Sequence, residues 1–285
     1  MSRGNNRNSN NQMKRSNKRK SNKTSKRKTP LSMMVTNAYI KDFYPKNRKQ
    51  ELFHSLIDSD KVDVLIGAPG TGKTALAIYK ALKLIESEDN DFNTIKIFRS
   101  AETSEEIGHL PGTKEEKASP FETGVRDIFN KFLGETNYDT LKQKGIIQFD
   151  IPAHERSTTH ENVVVIVDEI QNLSENTLDT LYTRGGENSH LILCGDYYQA
   201  DKRSGKNNIF TFLDNLVKMK REHDIDDSNF FVFMPDDIVR HGRVKRYIQT
   251  KYGKDYQEMY RKYLEVQAEA PEESDDRREN NVVEL

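Results

Sequence analysis

The stretch Gly67-Ala68-Pro69-Gly70-Thr71-Gly72-Lys73-Thr74 has the residue types and spacing that hold phosphate. It matches G-x-x-x-x-G-K-[ST], between an apolar run at 62–66 and a helical run from Ala75 onward. Glycines let backbone amides turn inward around phosphate oxygens, and the following helix points its positive N-terminus at the same anion. Lys73 is placed to reach the β- and γ-phosphates of ATP, and the Thr74 hydroxyl to ligate Mg²⁺. Such chemistry calls for a carboxylate to complete the metal shell and a base beside the attacking water. Asp168-Glu169 supply both, directly after five β-branched residues at 163–167. Asp168 takes the metal role and Glu169 the base; the alternative is a helix N-terminus whose carboxylates answer the dipole. Gln199 is set to bond the γ-phosphate or the water, the alternative being an ordinary loop residue.

The elements that must position these groups can be read from periodicity. A helix is expected around 46–57, with Leu52, Phe53, Leu56 and Ile57 at helical spacing. Strands are expected at 62–66, 94–98, near 146–149, at 163–167, at 190–194 and at 230–233. Helices are expected from the phosphate loop to about 87, at about 120–132, at 173–182 with a Ser174 cap, and over 239–266. Strands alternating with helices imply an α/β fold with a mostly parallel sheet, and the unbroken run at 163–167 suits a strand covered on both faces. In such sheets ligands bind beyond the carboxyl ends of the strands, which is where the polar groups above fall. Residues 100–160 are less regular and are expected to be an insertion or subdomain of one domain spanning 31–266.

The 285 residues carry 45 basic and 45 acidic side chains, but the balance conceals two tails. Residues 1–30 hold eleven Lys/Arg and no acid, among Asn and Ser; residues 267–285 hold seven acids and two Arg. Both are expected to be disordered, lacking apolar side chains to bury. The basic head suits a phosphate backbone, contacted without sequence preference and in a salt-sensitive way; the alternative is a solubilising or targeting tail. No stretch approaches a membrane span, so no membrane partner is expected. The single Cys194 lies in an apolar run, reads as a buried strand residue, and fits a reducing, cytoplasmic location.

Read together, these segments resemble the PhoH family of P-loop ATPases, related to superfamily 1 helicase cores, over roughly residues 45–250. The resemblance is carried by the phosphate loop, by Gly108-His109-Leu110-Pro111-Gly112 with Glu116-Lys117 and Pro120, by Asp168-Glu169-Ile170-Gln171-Asn172, by Gly195-Asp196-Tyr197-Tyr198-Gln199-Ala200-Asp201, and by Val239-Arg240-His241. It implies that Asn47 and Gln50 lie near the adenine, as in helicase Q motifs. It also implies that Arg240 is a sensor or finger on the γ-phosphate, with Arg184 a further candidate acting across subunits. It implies a P-loop (RecA-like) ATPase that acts on RNA or single-stranded nucleic acid and assembles as a homo-oligomeric ring such as a hexamer. The chain departs from the family at Arg156-Ser157-Thr158-Thr159, where Arg-Gly-Arg-Thr is usual, and no PIN nuclease domain is expected before the core. Two other readings stand beside this one: an ATP-gated switch or binding module with slow turnover, and a small-molecule kinase. The kinase is disfavoured because Glu169 suits water activation and no Arg-rich lid is evident.

Overall fold

A computed structural model of the chain describes residues 40–57, 60–87, 89, 91–99, 114–150, 152, 159–199 and 208–269. Six strands form one sheet: β1 (Val62–Gly67), β2 (Thr94–Arg99), β3 (Ile147–Asp150), β4 (Val163–Asp168), β5 (Ser189–Gly195) and β6 (Ser228–Phe233). Their order is β3-β2-β4-β5-β1-β6, and every pairing is parallel. All six residues of β4 are buried, as a β-branched run covered on both faces must be.

The period-two alternation of the strands divides the core into two layers. Leu65, Ile97, Val164, Ile166, Cys194 and Phe231 face one side. There they pack on α1 (Arg48–Ser55), α2 (Lys73–Glu86), α3 (Lys114–Leu133) and α4 (Glu135–Gln143). Val64, Ile66, Val165, Val167, Phe230 and Val232 face the other. That side is covered by α5 (Glu175–Thr183), α6 (Asn208–Glu222) and α7 (Gly242–Leu264). Among the described residues no helix is long and apolar enough to cross a membrane.

Most elements lie within a residue or three of their expected positions, and Ser174 caps α5 by accepting from the Thr177 amide at 3.2 Å. Helix α3 does not start at Pro120 but runs through it from Lys114. Proline already has helical φ and costs one intrahelical bond, and Lys, Glu and Ala before it are good helix formers. Two helices, α4 and α6, fall outside the expectations. The first is announced only by Tyr138 and Leu141, after a break at Gly134, whose φ is 81°. The stretch 100–160 supplies β3, which pairs with β2 from Ile95↔Ile147 onward, so its described part packs on the same sheet. Residues 1–39 and 270–285, the segment 108–112, Arg156 and Ala200-Asp201 lie outside the described residues; the acidic tail expected to be disordered from 267 instead begins paired with β6, the Ala268 amide donating to Phe230 O at 2.9 Å.

Candidate nucleotide site

The phosphate loop leaves β1 at a point only glycine can occupy. Gly67 has φ of +118°, and a Cβ there would lie 2.0 Å from the Phe233 carbonyl oxygen at the end of β6. This close approach lets the Ala68 amide donate to that carbonyl at 2.7 Å. The loop then turns through Gly70 and Gly72, both at positive φ, and Gly72 caps α2. The Thr71 hydroxyl donates to Ala68 O at 2.9 Å, and the Lys73 ammonium to Gly67 O and Ala68 O at 2.8 Å each. Withdrawal from water lowers the Lys73 pKa, against the pull of Asp196 first among its neighbours.

Asn47 and Gln50 brace this loop from behind. Asn47 caps α1, accepting from the Gln50 amide at 2.9 Å, and its own amide donates to Asp237 O at 2.7 Å. The buried Gln50 side chain donates to Thr71 O at 2.8 Å and accepts from the Lys46 amide at 2.8 Å. Neither lines the cavity beside the loop, so their shown contacts are to protein backbone.

Three strand ends bring the acids to that cavity. The Thr74 hydroxyl donates to Asp168 Oδ1 at 3.0 Å across the β1–β4 gap, which β5 fills. Burial, then the charge of Glu169, push the Asp168 carboxyl up to about 6, against Arg99. Glu169 sits at φ 57°, in the left-handed region, and this turn aims its carboxylate back toward the loop side of the sheet. The Gln171 amide donates to Glu169 Oε2 at 2.5 Å, while Gln171 Oε1 accepts from the Asp196 amide at 2.9 Å. The Tyr256 hydroxyl lies 2.9 and 3.0 Å from the two Asp196 carboxylate oxygens. Sequence reasoning missed Arg99: its guanidinium is 3.8 Å from Asp168 and 3.6 Å from Glu169. Its place at the carboxyl end of β2 was the available signal.

The cavity measures about 380 Å³. Its walls include Gly70, Lys73, Thr74, Asp168, Glu169, Asp196, Gln199 and Arg240, so the expected phosphate, metal, water and finger residues converge on one space. Arg240 packs its aliphatic stem against Gly70, where a Cβ would meet Arg240 Cδ at 2.8 Å, and the Val239 amide donates to Gly70 O at 3.0 Å. The expected helix therefore begins at Gly242, capped by His241, and Val239-Arg240 belong to the site. Arg184 caps the end of α5 and does not line this cavity. A second cavity, of about 320 Å³ around His160, Tyr182 and His190, opens at the amino ends of the strands and lacks a phosphate loop. Cys194 is buried and its thiol pKa is raised well above normal by burial, as a strand residue's would be.

The PhoH-like protein family model matches residues 42–252. The chain belongs to the PhoH-like family. This PhoH-like chain is 29% identical over 215 residues to the PhoH-like protein of Bacillus subtilis (strain 168), covering 75% of the chain and 65% of that protein. It is 32% identical over 163 residues to the protein PhoH of Escherichia coli (strain K12), covering 56% and 46%. The chain thus spans less than two thirds of the length of these curated relatives. Among solved structures, the large terminase of a thermophilic bacteriophage is similar with a TM-score of 0.43 and 13% identity, over 75% of this chain and 52% of that one. Candida albicans Pif1 helicase gives 0.32 and 17%, over 67% and 40%. With its phosphate loop and strand-end acids, the PhoH-like chain has a nucleotide site of the P-loop ATPase type.

Proposed function

We propose that the chain binds ATP with Mg²⁺ and hydrolyses it, and that turnover is coupled to binding or remodelling RNA or single-stranded nucleic acid. The convergence of Lys73, Thr74, Asp168, Glu169, Gln199 and Arg240 on one cavity carries this reading. Thr74 and Asp168 put two hard oxygen donors 3.0 Å apart beside the phosphate loop, which fits an ion that takes its remaining ligands from phosphates and water. When bound, Mg²⁺ neutralises charge developing on the β- and γ-oxygens. Lys73 exchanges its two loop carbonyls for phosphate oxygens. Glu169, oriented by Gln171 and Arg99, accepts a proton from the attacking water, and Gln199 and Arg240 meet the terminal phosphate. Asn47 and Gln50 contribute by holding the loop in shape, through their bonds to Asp237 O and Thr71 O.

Glu169→Gln should keep binding a fluorescent ATP analogue while hydrolysis falls by about 10²–10⁴-fold. Hydrolysis at the wild-type rate would falsify the base assignment. Added oligo(U) should stimulate turnover of the unaltered chain; indifference to it favours the slow ATP-gated switch. The basic stretch 1–30 supplies a salt-sensitive, sequence-independent contact to the strand, and the working form is a cytoplasmic homo-oligomer.

A further inference from the structure

Helix α7 has two unlike faces. Toward the sheet it presents Ile248, Tyr252, Tyr256, Met259, Tyr260 and Tyr263, all packed on the core. Arg243, Arg246, Tyr247, Lys251 and Lys254 are all exposed. At 100° per residue these five fall within an arc of about 140°, opposite the buried stripe. Residues 242–254 contain no Asp or Glu, so the patch is basic over more than three turns. Tyr247 is 59% exposed, so its ring is within reach of a ligand. The Lys251 ammonium lies 5.5 Å from that ring's centroid and donates to its hydroxyl at 3.2 Å.

The same helix reaches the nucleotide cavity twice. It begins two residues after Arg240, which lines the cavity, and Tyr247 lies about 8 Å along the axis from that start. Further along, Tyr256 grips Asp196, and the Tyr260 hydroxyl accepts from the Tyr197 amide at 3.1 Å. Asp196 in turn stands beside Lys73.

We propose that the outer face of α7 docks single-stranded nucleic acid, a base stacking on Tyr247 while the flanking Arg and Lys side chains hold phosphates, and that α7 relays this contact to the ATP cavity through Arg240 and Tyr256. The proposal rests on the nucleic-acid-coupled reading above and gives it a surface other than the basic head. An exposed ring among cations suits a strand whose base faces are open, whereas the bases of a duplex are stacked away.

The test uses the full chain, fluorescent oligo(U) RNA and oligo(dT) DNA, and a series of salt concentrations. Tyr247→Ala should weaken binding of the preferred strand roughly five- to hundred-fold. The double variant Arg246→Glu, Lys251→Glu should lower the salt slope by about 1.4, about 0.7 for each lost phosphate contact. Lys218→Glu, on the exposed side of α6, should bind as the parent does. If the α7 variants melt like the parent and bind like it, the docking face is elsewhere. A change of mass in light scattering with binding intact would assign the face to neighbouring copies and overturn the proposal. A parent chain that binds neither oligonucleotide removes the coupled reading itself, which separates the two failures. Tyr256→Phe should retain binding but lose the change in strand affinity on adding ATP; an unchanged ATP response would remove the relay.

Discussion

Asp168 is subject to opposing demands. Burial and the adjoining Glu169 favour its neutral form, while Arg99 and the Thr74 hydroxyl favour the carboxylate that a metal needs. Its pKa is raised from 3.8 to about 6, so the folded chain takes up a proton that the unfolded chain has released. The resulting stability is fully present below 3.8 and is lost as pH climbs to about 6. Metal binding has the opposite sign, because the proton competes for the same oxygen. Calorimetric titration of Mg²⁺ with a nonhydrolysable ATP analogue should show affinity falling about tenfold per pH unit below 6, beyond the fall seen with Asp168→Asn. Parallel pH profiles for parent and variant would remove Asp168 from the metal shell.

At the scale of elements, the helix that follows the phosphate loop is bolted to the sheet by charge. Lys80 of α2 lies 2.7 Å from Asp63 of β1, and His190 of β5 lies 2.9 Å from the same carboxylate oxygen, all three buried. Removing one member strands a buried charge, so Lys80→Ala should cost about 3–5 kcal/mol in urea denaturation. Replacing the pair together, Asp63→Leu with Lys80→Met, should recover most of that loss; a double-variant loss equal to the sum of the two single losses would show that the pair is not coupled. None of this network was legible in the sequence. Asp63 and Lys80 are 17 positions apart and His190 another 110, and only the order β5-β1 brings them together. What was legible rests on local patterns: β4 from its β-branched run, the phosphate loop from its glycines, α5 from Ser174. Helix α6 was legible as well, since Ile209, Phe212, Leu213, Leu216 and Val217 recur at helical spacing, yet it fell outside the expectations. Arg240 was expected in the site, but that it stands just ahead of α7 depends on the Val239–Gly70 bond, which no pattern records.

For the molecule as a whole, the six parallel strands collect every candidate catalytic group at one end of one sheet. Among the described residues, Gln199 and Arg240 line that cavity and are exposed. The homo-oligomer proposed above would let a neighbouring copy complete this site, with Arg184 a candidate from that copy. Light scattering of the 33.0 kDa chain with Mg²⁺ and an ATP analogue should therefore give a multiple of the monomer mass. A monomer that hydrolyses ATP at the full rate would rule out the ring.

Gly67 abuts the Phe233 carbonyl with no space for even a methyl group, and the chain continues from there through Asp237 and Val239 over the phosphate loop. Helix α2, beside the loop, is tied to the sheet by the buried Lys80–Asp63 pair and His190, whereas residues 234–241 are held by buried Pro235 and Ile238 and by bonds from the Asn47, Lys245 and Gln249 side chains. Under the function proposed above, a shift of Arg240 would pass directly into α7, which begins two residues further on.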